Sequence, residues 1–174
     1  MATSLLDTII DKILKAEGGY VNNPNDNGGP TNFGVTQETY TRYLGRAASI
    51  NDIKTMPIAH ARDIFKKQYY FAPKINLLPE ELQPVVTDAC VLYGPKRAII
   101  FLQKVLNVAQ DGVLGPATAK AATDFIAAHG IVEVVNDYVE ERIAFCERIV
   151  ARNPSQKIFL KGWKNRANTF RLKA

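Results

Sequence analysis

The chain has 174 residues, 47% hydrophobic and 22% charged, enough for one well-buried core with at most a small appended lobe. No run of about 18 apolar residues is present, which excludes a membrane-spanning helix of ordinary length. The net charge of +5 is unevenly placed: eight basic residues and no acid follow Glu147, against 14 basic and 17 acidic residues up to that point.

Ser4 with Asp7 has the spacing of a capping box with a shortened acid, and opens a first helix. Leu5, Leu6, Ile9, Ile10, Ile13 and Leu14 recur at three and four residues and predict one buried face. Gly18-Gly19 stops that helix. From Asn22 to Pro30 the chain is almost wholly Asn, Pro, Asp and Gly, too rich in turn formers for helix. Asn32 to Thr36 reads as a short strand, so a small hairpin or flap is expected near residues 20–36.

Helices dominate the rest. Thr36 caps a short one to about Leu44, and Thr55-Met56-Pro57 opens another to about Tyr70, with Pro57 in its first turn. Glu80-Glu81 after Pro79 suit the start of a helix to about Tyr93. Gly94-Pro95 breaks the chain before a helix to Asn107 with Ala98, Ile99, Leu102, Val105 and Leu106 on one side. A turn from Gln110 to Pro116 leads into a helix to about Ala128, Gly130 precedes a long helix to about Ala151, and a basic helix follows Asn153-Pro154 to about Ala167. The expected fold is mainly α, one compact unit over residues 1–174 with a small β element near the front.

Cys90 and Cys146 lie far apart in apolar helical stretches, where buried free thiols are expected, with a disulfide or a nucleophile as alternatives. His60 and His129 have no Cys, His or Asp at metal-ligand spacing, which argues against a zinc amidase or peptidase. Met1 to Lys15 carries Asp7 and Asp11 in its apolar pattern and lacks a basic start and a small-residue cleavage site. It does not read as a signal peptide, so synthesis and retention in a cytoplasm are expected unless another route releases the chain. The basic tail reads either as a solvated helix face or as a surface for a polyanion such as envelope polymer, anionic lipid or nucleic acid.

The most informative segment runs from Glu17 to Thr36. It offers a carboxyl at a helix end, a second carboxyl nine positions on at Asp26 and a hydroxyl five further at Thr31. Glycosidic hydrolysis takes one protonated acid for the leaving oxygen and a second, ionised group to activate water or stabilise the sugar cation. Glu17 suits the first role, because the negative end of the helix dipole disfavours its ionised form. Asp26 suits the second, among Asn25, Asn27 and two glycines whose amides and solvent can hold it charged. Thr31 could orient the water. With both carboxyls on one cleft and room for that water, the anomeric centre inverts. Taken singly, Glu17 also reads as an exposed helix-end acid, and Asp26 as a turn cap.

The run Glu17-Gly18-Gly19-Tyr20, then Asn23-Pro24, Asp26, Gly28-Gly29, Thr31-Asn32 and Gly34-Val35-Thr36, resembles the signature of the glycoside hydrolase family 108 lysozymes, the Glu-Gly-Gly-Tyr muramidases. More loosely it is similar to the Glu…Asp…Thr arrangement of small tailed-phage lysozymes, which leave one residue more between Asp and Thr than the four found here. The resemblance continues through Gln68-Tyr69-Tyr70, Val86-Thr87-Asp88, Tyr93-Gly94, Phe101 to Val108, Asp111 to Thr118, and Lys161-Gly162-Trp163-Lys164-Asn165-Arg166. It implies a lysozyme-like catalytic part over residues 1–90 and a helical peptidoglycan-binding part over 91–174. It also implies cleavage between N-acetylmuramic acid and N-acetylglucosamine with Glu17 as acid, by a monomer acting on bacterial peptidoglycan without cofactor or metal.

Tyr20, whose aromatic face suits a pyranose ring, and Asn32, Tyr93 and Trp163, within the matched motifs, are the expected substrate-binding residues. For Tyr20 the alternative is packing under the hairpin, and for Trp163 anchoring its helix. Asp88, on an apolar helix, is expected as a buried hydrogen-bonding acid rather than a cleft residue. Competing functions are a lytic transglycosylase, which would not need Asp26, a peptidoglycan-binding module without activity, and a nucleic-acid binder, which the few aromatics of the basic tail disfavour. A phage or prophage enzyme would reach the wall through a holin-made lesion, and a secretion-associated wall-remodelling enzyme by another export route; the sequence does not choose between them.

Overall fold

A computed structural model describes residues 2–24 and 28–174, and its contacts separate into two compact units, Met1–Gln68 and Tyr69–Ala174. Nine α-helices and one two-stranded sheet occur among the described residues, a mainly helical, lysozyme-like fold.

In the first unit, α1 (Leu5–Glu17) begins where the Ser4 hydroxyl accepts from the Asp7 amide, at 3.1 Å, and ends where Gly18 takes φ +74°. Ile9, Ile10, Ile13 and Leu14 are buried, each fully buried aliphatic side chain contributing about 1.5–3 kcal/mol. Leu5 is an exception to the expected stripe at 36% exposed, because it sits in the first turn, before the helix is covered. α1 packs against α4 (Ile58–Lys66), and the pair is clasped by charge. Lys66 Nζ lies 2.8 Å from Asp7, and Arg62 reaches both Asp7 and Asp11.

Between them stand β1 (Thr31–Asn32), β2 (Val35–Thr36), α2 (Gln37–Leu44) and α3 (Ile50–Lys54). The strands pair antiparallel, Thr31 opposite Thr36 and Asn32 opposite Val35. Thr36 caps α2 as its sequence indicates, accepting from the Thr39 amide. The sequence reading passes over α3, a five-residue helix opened by a reciprocal capping box between Ser49 and Asp52. The helix expected to reach Tyr70 holds α geometry only to Lys66, and Lys67–Phe71 widens into a π turn. Pro57 is its N-cap rather than a first-turn residue.

In the second unit, a 3₁₀ turn at Glu80–Leu82 precedes α5 (Gln83–Tyr93), followed by α6 (Pro95–Val105), α7 (Pro116–His129), α8 (Ile131–Arg152) and α9 (Lys157–Asn168). α5 is buried almost throughout, from Gln83 to Cys90, with α6 and α8 packed on it. Its one acid, Asp88, is the buried hydrogen-bonding group expected. Arg142 Nη2 and Arg166 Nη2 each donate to it at 2.8 Å, so one carboxylate ties α5 to α8 and α9. Cys90 and Cys146 are buried free thiols, and burial pushes Cys90 up to about 12.

The turn before α7 is organised by buried Gln103. Its amide donates to Asp111 at 2.7 Å and to the Val113 carbonyl at 3.1 Å, while its oxygen accepts from the Gly112 amide. No helix among the described residues is long and apolar enough to cross a membrane.

Candidate active site

Glu17 is the last residue of α1 and is half-buried, with Oε1 shielded from solvent. The hairpin turn lies directly on its side chain. Phe33 and Gly34 join β1 to β2 with φ of +52° and +77°, the two left-handed positions of a type I′ turn. A methyl group at Gly34 would stand 2.5 Å from Glu17 Oε2 and 2.9 Å from Cδ, so only glycine lets the turn come this close. Phe33 pays backbone strain of about 1–2 kcal/mol in that position, the kind of cost that functional sites retain.

The hairpin is held in place from behind. Asn32 is 5% exposed, and its amide donates to the Ile53 and Lys54 carbonyls at 2.9 and 3.3 Å. Those carbonyls lie at the C-terminal end of α3, where helix acceptors need outside partners. Asn32 therefore anchors the hairpin, and through it the position of Gly34 against Glu17. From the other side, Val21 and Thr31 exchange two backbone hydrogen bonds of 2.8 Å. Asp26 lies outside the described residues.

Thr31 is thus fixed through its backbone, with a half-buried side chain, and Tyr20 is half-buried between Gly19 and the Val21 bridge. Beside the end of α1 a cleft of about 350 Å³ opens, walled by Leu14, Lys15, Gly18, Gly19, Phe33 and Arg62 among others. Glu17, Tyr20, Thr31 and Asn32 all fall within the first unit. Tyr93 and Trp163 belong to the second. The Tyr93 hydroxyl meets Cys146 Sγ at 3.2 Å, its ring packs edge-on against Phe101 and Phe145, and burial raises its ionisation well above the usual phenol value. Trp163 is half-buried and stacks on Phe159. Among the described residues no three His, Cys, Asp or Glu side chains gather as metal ligands would.

Sequence reasoning did not single out Gly34 or the anchoring use of Asn32. The signal available for Gly34 was its place after Phe33 between two short β-prone stretches, where a two-residue hairpin demands left-handed backbone.

The family described as Glycosyl hydrolase 108 matches residues 10–94, and the Predicted Peptidoglycan domain matches residues 97–168. The two matches meet at the Gly94-Pro95 break between α5 and α6, so the first extends from the first compact unit into the second. No match is found among curated proteins. Twelve chains of solved structures match, and one of them, Brucella abortus SagA, superposes with a TM-score of 0.80 at 30% identity, over 95% of this chain and 90% of that one. A hairpin seated on a helix-end glutamate, two adjoining family matches and a relative alike along nearly its whole length agree: the chain belongs to the glycosyl hydrolase 108 family, as a lysozyme-like peptidoglycan hydrolase with a peptidoglycan-binding domain.

Proposed function

We propose that the enzyme is an N-acetylmuramidase, hydrolysing the β-1,4 bond between N-acetylmuramic acid and N-acetylglucosamine, with Glu17 as general acid. The observation that carries this reading is the setting of Glu17: a carboxyl at the C-terminus of α1, one oxygen shielded, the other covered by the Gly34 turn.

In the proposed reaction Glu17 gives its proton to O4 of the departing N-acetylglucosamine as the bond to C1 of N-acetylmuramic acid breaks. Asp26 takes a proton from water, whose oxygen attacks C1 from the opposite face, and Thr31 orients that water. Each turnover adds one water across the bond and inverts the anomeric centre. Tyr20 offers an aromatic face to the sugar. Asn32 contributes by holding the hairpin, and Tyr93 and Trp163 are assigned to wall contacts of the second unit.

Digestion of purified peptidoglycan by wild type and Glu17→Gln, with products identified by mass spectrometry, tests the reading. Reducing muropeptides ending in N-acetylmuramic acid, absent with the variant, are expected. Equal digestion by Glu17→Gln, or anhydro-sugar ends from the wild type, would overturn it, and proton NMR of the first-formed anomer reads the stereochemistry.

A further inference from the structure

The basic tail does not present its charge evenly. Among the described residues Arg148 pairs with Glu141, Lys164 with Glu147, Arg166 with Asp88, and Arg171 with Glu140. These four cations serve the fold. Lys157 and Lys161 are exposed and have no acidic partner among the described residues. They stand one helical turn apart on α9, an axial rise of about 6 Å along the backbone.

A groove of about 420 Å³ runs along this flank, lined by Lys157, Leu160, Lys161, Lys164, Asn165 and Asn168. Its chemistry is uniform: ammonium groups and side-chain amides, with one aliphatic wall. α9 is firmly held beneath it by buried Ala167 and the Arg166–Asp88 pair, so the donors are presented from a fixed element. The aromatic pair Phe159 and Trp163 stacks together without entering the groove lining.

We infer that this flank of α9 binds the carboxylates of peptidoglycan stem peptides, with Lys157 and Lys161 meeting the acids and Asn165 and Asn168 the peptide groups beside them. The inference rests on the reading of the chain as a wall hydrolase. Within the wall polymer the lactyl acids of the glycan are consumed in amide links to the stems, so the stems carry the free carboxylates. Lysine amines offer them charge and asparagine amides offer hydrogen bonds. An anionic membrane would call for apolar side chains around the lysines. The groove supplies only Leu160, while Ile158, 80% exposed, is not part of its lining.

The test is co-sedimentation of the full chain with purified sacculi, scored on ice before digestion so that it does not depend on what Glu17 does. Wild type is compared with K157E/K161E and the milder K157Q/K161Q, with circular dichroism to follow helix content. Two further probes are sacculi whose stem carboxylates are capped as primary amides with a carbodiimide and ammonia, and phosphatidylglycerol vesicles. The inference expects binding to intact sacculi to weaken about tenfold or more in K157E/K161E and less in K157Q/K161Q, with added salt closing the gap. Amide-capped sacculi should bind weakly and without regard to the substitutions. Unchanged affinity in both folded variants, or equal wild-type affinity for amide-capped sacculi, overturns it. Loss confined to vesicles assigns the groove to lipid instead. A failed muramidase reading appears separately, as undiminished digestion by Glu17→Gln, and leaves this comparison standing.

Discussion

Replacing Asp88 by Asn should be the most damaging single change in the second unit. The side chain is 3% exposed, and its oxygens receive Arg142 Nη2 at 2.8 Å, Arg166 Nε at 3.1 and 3.2 Å and Arg166 Nη2 at 2.8 Å. Asparagine removes the negative charge from between two guanidinium groups. Arg166, 18% exposed, can turn towards water, but Arg142 is fully buried and keeps a long bond to the Val85 carbonyl at 3.4 Å and the ring faces of Tyr93 and Phe170. Breaking a buried pair in this way costs about 3–5 kcal/mol, a large share of a total near 5–15 kcal/mol. For a chain of this length that is a fall of about 6–20 °C in Tm.

Calorimetry and urea melts of Asp88→Asn, Arg142→Met and the double variant D88L/R142M form the assay. The double variant should recover most of the loss, because two well-packed apolar side chains replace a desolvated pair whose Arg142 Nε is buried without a hydrogen bond. A cost below about 1 kcal/mol for Asp88→Asn, or a double variant as unstable as the two single changes added together, would refute the reasoning.

Two further outcomes follow from the first unit. Gly34→Ala and Gly45→Ala meet similar backbone strain at φ +77° and +70°, but only Gly34 faces a neighbour, Glu17, within 4 Å. Both should therefore lose about 1–2 kcal/mol of stability, while Gly34→Ala alone loses peptidoglycan digestion, by about tenfold or more; equal activity in the two refutes the contact. Asp7 is held at about 2, against an ordinary 3.8, first by the Lys66 ammonium and then by the Ser4 hydroxyl. A carboxyl depressed on folding adds stability above its unfolded value and loses it as pH falls through its folded one, so this contribution disappears between about pH 4 and 2. Urea midpoints should then drop more steeply across that window in wild type than in Asp7→Asn, and parallel curves would count against the clasp.

Local signals carried most of the fold. Ser4 and Thr36 stand where a helix needs a hydroxyl, and glycines at 18, 94 and 130 adopt the positive φ that their positions after helices suggest. Ser49 and Asp52 repeat the Ser4–Asp7 spacing, yet α3 is only five residues long, too short for apolar periodicity to register. What could not be read was non-local. Asp88 finds its partners 54 and 78 residues away, and Asn32 finds its acceptors 21 and 22 residues on, so residue type alone could not separate a structural amide from a sugar-binding one. The helix-end position of Glu17 was legible from the glycines that follow it. The close approach of Gly34 depends on hairpin and α1 meeting in space, which no spacing encodes.

The pair of 2.8 Å bonds between Val21 and Thr31 has an evolutionary consequence. They join Val21 to Thr31 while Asn32 pins the hairpin beyond, so the acid's cover is set by residues outside the intervening segment. Because closure entropy grows only by about 0.6 kcal/mol for each doubling of length, insertions between the two clamped residues are thermodynamically cheap. The scaffold can therefore vary the length of the segment between Val21 and Thr31 without resetting the hairpin that covers Glu17.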